Sequence, residues 1–224
     1  GNETKIERNA EHNPTALIST DNLKTTLTVD ANDYLSSITN PAGESYNIEY
    51  TSDGLLTKFT DPKNQSSVIT YDALGRLTKD QNAVNGFSEL LRSEFANGFE
   101  ISMESALEVK TKYKVEDLPN GDQKRTTTTP NNLQHTTFIG VNGVTEQNAP
   151  DGTYTKTTKT PDPVFGMQSP IIATEIKAPS DHTHLKMMTS RTATLSDQSN
   201  PLSLVSETAK TILNGKTTTT NFTA

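Results

Sequence analysis

Residues 27–85 read LTVDANDYLSSITNPAGESYNIEYTSDGLLTKFTDPKNQSSVITYDALGRLTKDQNAVN, and the run repeats itself at a step of 21 residues. Val29, Tyr50 and Tyr71 fall in one column, with Leu27, Ile48 and Ile69 two places before them and Leu35, Leu56 and Leu77 six places after. Turn-forming residues keep the same register: Asp33, Gly54 and Gly75 share a column, as do Gly43, Asn64 and Asn85. Within a unit, Tyr46, Ile48 and Tyr50 alternate with Ser45, Asn47 and Glu49, the period of a strand with one wet face. Ser52-Asp53-Gly54 then supplies a tight turn in which glycine takes a positive φ, residues 55–60 return, and Asp61-Pro62-Lys63-Asn64 turns again. The pattern predicts short antiparallel strands joined as a meander, an all-β fold. One spacing complicates it. Leu35 and Ile38 are three apart, as are Leu56 and Phe59, and such pairs share a face only if a bulge lies between them; otherwise both faces of the sheet are covered.

Composition agrees with a thin sheet. Only 31% of the 224 residues are hydrophobic and 6% aromatic, little for an ordinary globular core. Disorder has such a composition too, but a disordered segment has no reason to hold Leu, Tyr and Gly in register. With 27 acidic against 20 Lys and Arg residues, the net charge of −7 argues against a nucleic-acid or anionic-membrane partner, since both are bound through basic patches. Cysteine is absent, which excludes disulfides and thiolate metal sites. No apolar run approaches the ~20 residues that span a bilayer. A first residue that is Gly rather than Met suggests an excised piece of a longer protein.

Around the repeat, residues 1–20 read as an entry strand with a loose end, 21–86 as about three 21-residue units, and 87–224 as a Thr-rich continuation of the same sheet. Phe87, Leu90, Leu91 and Phe95 have helical spacing, which leaves room for one short helix over 87–95. Asn97-Gly98 reads as a hairpin turn before the alternating Phe99, Ile101 and Met103. Pro119-Asn120-Gly121 and Pro150-Asp151-Gly152 each lead into a basic residue and threonines, and Asn214-Gly215 begins a third version; threonine favours strands and suits a wet face. Pro161, Pro163, Pro170 and Pro179 predict a longer irregular connection around Phe165-Gly166-Met167.

Tyr71-Asp72-Ala73-Leu74-Gly75-Arg76-Leu77-Thr78 resembles the defining signature of the RHS/YD-repeat family, with Asp53-Gly54-Leu55-Leu56 and Asp61-Pro62 a weaker copy one unit earlier. The stretch from Asp151-Gly152-Thr153-Tyr154 to Phe165-Gly166-Met167 is similar to Thr-rich segments of bacterial members, as is Ser190-Arg191-Thr192 with Asn200-Pro201-Leu202-Ser203-Leu204. The resemblance implies a curved, extended antiparallel sheet, a section of the hollow shell that such repeats build in toxin complexes, polymorphic bacterial toxins and teneurins. It implies a non-catalytic scaffold in a secreted or cell-surface bacterial protein. The expected partners are the remainder of its own polypeptide and a C-terminal toxin cargo. The repeat-defining residues are then Tyr50, Gly54, Leu56, Tyr71, Asp72, Gly75, Arg76 and Leu77. The chain shows no terminal autoproteolytic core and too few repeats for a closed shell.

Candidate sites are few. His182 and His184, two apart beside Asp181, make two ligands and not a metal site; solvated loop residues are the plainer reading. Gly215-Lys216-Thr217 imitates the end of a phosphate-binding loop, but position 210, where that loop needs glycine, is lysine. Asp30-Ala31-Asn32-Asp33 and Asp197-Gln198-Ser199-Asn200 lack the ligand ladder of an EF-hand and read as turns. No cofactor is implied, and no carboxylate pair is singled out for hydrolysis. Tyr46, Tyr50 and Tyr71 admit two roles. They stack on sugar rings, making a carbohydrate-binding surface, or they pack across strands, with Tyr50 and Tyr71 forming a ladder.

Overall fold

The computed structural model describes residues 3–180 and 184–223, which form nineteen strands and no helix. The chain divides into two units. The first takes in the chain up to Leu91 together with Ser102–Lys110, and the second comprises Arg92–Ile101 and the chain from Thr111 onward.

In the first unit β1 (Lys5–Arg8), β2 (Pro14–Ile18), β3 (Lys24–Val29), β4 (Leu35–Thr39), β5 (Ser45–Tyr50), β6 (Leu56–Thr60), β7 (Ser66–Tyr71) and β8 (Leu77–Gln81) pair in chain order, each antiparallel to the last, and β8 pairs with β9 (Phe87–Phe95). This is the meander that the alternation predicts. Leu27 stands opposite Ile38, Ile38 opposite Tyr46, Ile48 opposite Phe59 and Tyr71 opposite Leu77, so one face is mainly apolar, interrupted by Ser67 opposite Phe59 and Asp80 opposite Ile69. The other carries Thr28 opposite Ser37, Asn47 opposite Thr60 and Glu49 opposite Lys58.

The three-residue step is a bulge. Glu49 faces Lys58 but Tyr50 faces Leu56, leaving Thr57 as the extra residue; Ser36 and Thr78 are extra in the same way against β3 and β7, and Thr15 against β1. An inserted residue flips the strand's alternation, which returns Leu56 and Phe59 to one face and adds twist. The same irregularity at a step of 21 makes it part of the repeat, and it reaches one unit upstream of the apolar columns, into β1 and β2.

Residues 87–95 are strand β9, not helix. The local spacing of Phe87, Leu90, Leu91 and Phe95 loses to a ladder in which Gln81, Asp80 and Lys79 face Phe87, Ser88 and Glu89. A nine-residue helix gains little alone, whereas the next strand of a meander has a hydrogen-bonded template waiting. Cations cover the rings: Lys79 Nζ lies 4.2 Å from the centre of Phe87, and in the second unit Arg92 lies 3.5 Å from that of Phe99.

After β10 (Gly98–Ser105), the second unit runs through β11 (Lys110–Asp117), β12 (Gln123–Thr128), β13 (Gln134–Ile139), β14 (Val144–Asn148), β15 (Tyr154–Asp162), β16 (Gly166–Lys177), β17 (His184–Leu195), β18 (Leu204–Leu213) and β19 (Lys216–Thr223). From β12 on, each strand again pairs antiparallel with the one before it. The proline segment is not a long connection. β15 and β16 run through it with only residues 163–165 between them, and Pro161 sits at the register shift between Thr160 and Asp162, where no ladder N–H is needed.

Very little is buried. Among the described residues Ala16 is the hydrophobic core and Asp162 the buried polar group; the columns of Leu, Ile and Tyr are half-buried except for the exposed Leu77. Stability rests on ladder hydrogen bonds, turns and cross-strand pairs, each such pair worth roughly 0.2–1 kcal/mol.

Candidate functional site

The chemistry of this chain is concentrated in its turns. Two rows alternate along the first unit. In both, the first turn residue donates its N–H to the carbonyl four places on and accepts from the N–H three places on: Asp72 with Arg76 (2.9 Å) and Gly75 (3.0 Å), Asp61 with Gln65 (2.9 Å) and Asn64 (3.0 Å). That closure puts the fourth residue in the left-handed region. His12, Asp33, Gly54 and Gly75 in one row, and Asn22, Gly43, Asn64 and Asn85 in the other, have φ between 58° and 85°. Glycine takes that conformation without cost, and Asn and Asp tolerate it, which is why both columns hold them.

The signature residues divide the work at one such turn. Tyr71 ends β7 and donates its hydroxyl to the carbonyl of Leu56 at 2.8 Å. Asp72 Oδ1 accepts the N–H groups of Leu74 (2.9 Å) and Arg76 (3.0 Å), while Oδ2 takes the Arg76 Nε at 2.8 Å. The Arg76 amide first, then the Arg76 guanidinium, hold the Asp72 carboxyl below the usual carboxylate range against the opposing effect of burial, with the Leu74 amide adding to them. Gly75 supplies the positive φ and Leu77 resumes the apolar face opposite Tyr71. The capping position is general. Asp30, Asn40, Asp61 and Asn82 each accept the same two amides, two and four residues on.

Successive turns of one row touch. A Cβ on Gly54 would meet the Tyr34 ring at 2.9 Å, and one on Gly75 would meet Leu55 at 3.3 Å. One unit earlier, the Asn13 amide donates to Asp33 at 2.9 Å. These contacts each span about one repeat, so the residue after one turn covers the turn of the next unit.

The three tyrosines are taken up in the sheet. Tyr46 stacks on Phe59 with centroids 5.6 Å apart, and Tyr50 contacts Tyr34 at 5.3 Å, the contact made in place of the expected one with Tyr71. His184 lies in β17, where its Nε2 is 2.9 Å from Glu175, an oxygen also 3.3 Å from Lys177; His182 and Asp181 lie outside the described residues. Among the described residues no three His, Cys, Asp or Glu side chains come together as a metal site. Asp30 and Asp197 cap turns: Asp197 Oδ1 accepts from the Ser199 amide (2.9 Å) and hydroxyl (2.7 Å). Gly215-Lys216-Thr217 lies at the β18–β19 turn, with Asn214 pinned to β17 through the backbone of Lys186 (2.9 and 2.7 Å). Sequence reasoning does not find the buried Asp162, whose Oδ2 accepts from Arg191 at 2.7 Å; the two are 29 residues apart in no repeating pattern.

A meander of 21-residue units, each turned at a capped Asp or Thr and a left-handed Gly or Asp, defines a YD-repeat wall. The Teneurin YD-shell family model matches residues 1–221, and the chain belongs to that family. Among solved structures the chain is similar to one in "Crystal Structure of TcdB2-TccC3-Cdc42", at 9% identity and a TM-score of 0.37, over 92% of this chain and 15% of that one. The chain thus spans about a seventh of the length of that relative. No curated protein sequence matches it.

Proposed function

We propose that this chain is a non-catalytic section of shell wall within a longer polypeptide, a secreted or surface-exposed bacterial protein whose shell encloses or presents a C-terminal toxin. The observation that carries the reading is the two-faced single layer: an apolar face that no second layer covers within the first unit, and a polar face built of Thr, Ser and cross-strand ion pairs such as Glu49–Lys58 at 3.0 Å. Family membership supports it. So does the exposure of β1 and β19 along their whole length, since strands at the margin of a sheet are where further strands add.

The test is protease protection in the parent polypeptide. Proline at Thr70 of β7, which pairs with Lys79, removes a ladder position in the wall. The reading predicts that the segment downstream of the repeats resists trypsin in the wild type and is digested in Thr70→Pro. A downstream segment equally digestible in both, or a parent with no segment beyond the repeats, contradicts it.

A further inference from the structure

The ladder between β16 and β17 is short. It runs from Thr174 opposite Met187 to Lys177 opposite His184, and beyond it Gly166 and Ile171, Ile172 and Ala173 pair with β15, across a register shift, while 188–195 pair with β18. The tip of the β15–β16 hairpin therefore has no backbone bonds to β17. We propose that Asp162, Arg191 and Glu207 form a charge clasp that takes the ladder's place, holding this tip on β17 and β18 and letting it open as a local unit.

Asp162 is 4% exposed, and both its carboxylate oxygens are used. Oδ1 accepts the N–H groups of Val164 (2.8 Å) and Phe165 (3.0 Å), which ties the carboxylate to its own turn; Oδ2 accepts Arg191 Nη1 at 2.7 Å, which ties that turn to β17. On the far side, Arg191 Nε stands 3.4 Å from Glu207 Oε1 on β18, long for a hydrogen bond but within ion-pair range. The pairing makes room for the guanidinium: Arg191 faces Ala209 and Glu207 faces Ala193, small residues on both sides. With the Asp162 carboxylate buried and the Arg191 side chain 34% exposed, the pair adds little net stability against apolar packing, but removing the arginine leaves a buried charge unpaired, which is costly. The tip it holds carries Phe165 and Met167, 45% and 56% exposed, so few apolar contacts resist its opening once the charge is gone. This inference concerns the second unit alone and stands apart from the shell reading.

The experiment is hydrogen exchange by mass spectrometry on the whole chain. In the wild type, the amides of 164–169 are expected to exchange by a local opening insensitive to low denaturant, while those of Thr174–Lys177 follow the larger unfolding of the ladder. Asp162→Asn and Arg191→Met are each expected to speed exchange at 164–169 about tenfold or more, with the ladder amides unchanged. The clasp is overturned if the tip and the ladder open together in the wild type, a result that needs no variant to fold. It is also overturned if either substitution leaves the tip's exchange as it was, or raises tip and ladder equally.

Discussion

Gly43 and Gly54 make a controlled pair. Their φ angles are +84° and +85°, so alanine at either meets the same backbone strain, about 1–2 kcal/mol for an L-residue in the left-handed region. Their surroundings differ. A Cβ on Gly43 meets nothing within 4 Å, whereas one on Gly54 comes within 2.9 Å of Tyr34 Cζ, a ring that is in turn 5.3 Å from Tyr50. Tyr34 must swing away, forfeiting an aromatic contact of about 0.5–1.5 kcal/mol. Gly54→Ala is therefore expected to cost about 1 kcal/mol more than Gly43→Ala, and with a urea slope of about 2 kcal/mol/M that separates their midpoints by about 0.5 M. Far-ultraviolet circular dichroism is the assay, since the chain has no tryptophan. In a Tyr34→Ala background the excess should vanish and the two glycine substitutions cost the same. If Gly54→Ala is no worse than Gly43→Ala, or its excess survives the loss of Tyr34, the claim that each unit packs on the next turn is wrong.

Three further outcomes follow from the turn geometry. Asp72 titrates lower in the folded protein than in the unfolded chain, so its contribution is complete above about pH 4 and lost as pH falls through the depressed folded value. In urea titrations the gap between wild type and Asp72→Asn should accordingly narrow in acid, and a gap that widens would reverse the assignment. Tyr71→Phe removes the bond to the Leu56 carbonyl at 2.8 Å and should lower stability by about 1 kcal/mol; no change would mean that the hydroxyl finds water equally well. Gly98 is not in the left-handed region, but a Cβ there overlaps the Val115 carbonyl oxygen. Gly98→Ala should therefore cost about 3 kcal/mol, more than Gly43→Ala, and equal costs would show that the backbone yields.

The fold class was legible because two periods coincide, a strand's alternation inside a 21-residue repeat. The left-handed columns were legible over residues 27–85, where Gly, Asp33, Asn64 and Asn85 mark them, and not at His12 or Asn22, upstream of the repeat, where the same conformation is imposed on residues that tolerate it at some cost. The bulge announced itself only as a contradiction, the step from Leu56 to Phe59, because a sequence shows spacing but not which residue is left unpaired. The helical spacing at 87–95 misled for a related reason: one strand's neighbours decide its state, and β8 offered a ladder. Pro161 was read as a breaker and proves to be an allowed irregularity within a strand pair. The repeat-defining Tyr71, Asp72, Gly75 and Arg76 could be named, but their division of labour could not, since the capping oxygen serves backbone amides that any residue would supply. Asp162 with Arg191 left no trace, being a single contact in the unit without a regular period.

Cryo-electron microscopy of the full parent polypeptide tests the central claim most directly. The account predicts that the strands of each unit appear as consecutive rows of sheet wall, with β1 and β19 each hydrogen-bonded to a strand from elsewhere in the polypeptide, around an enclosed space that holds the downstream segment. A parent in which these strands form a free-standing domain, with both margins solvated and nothing enclosed, would contradict it.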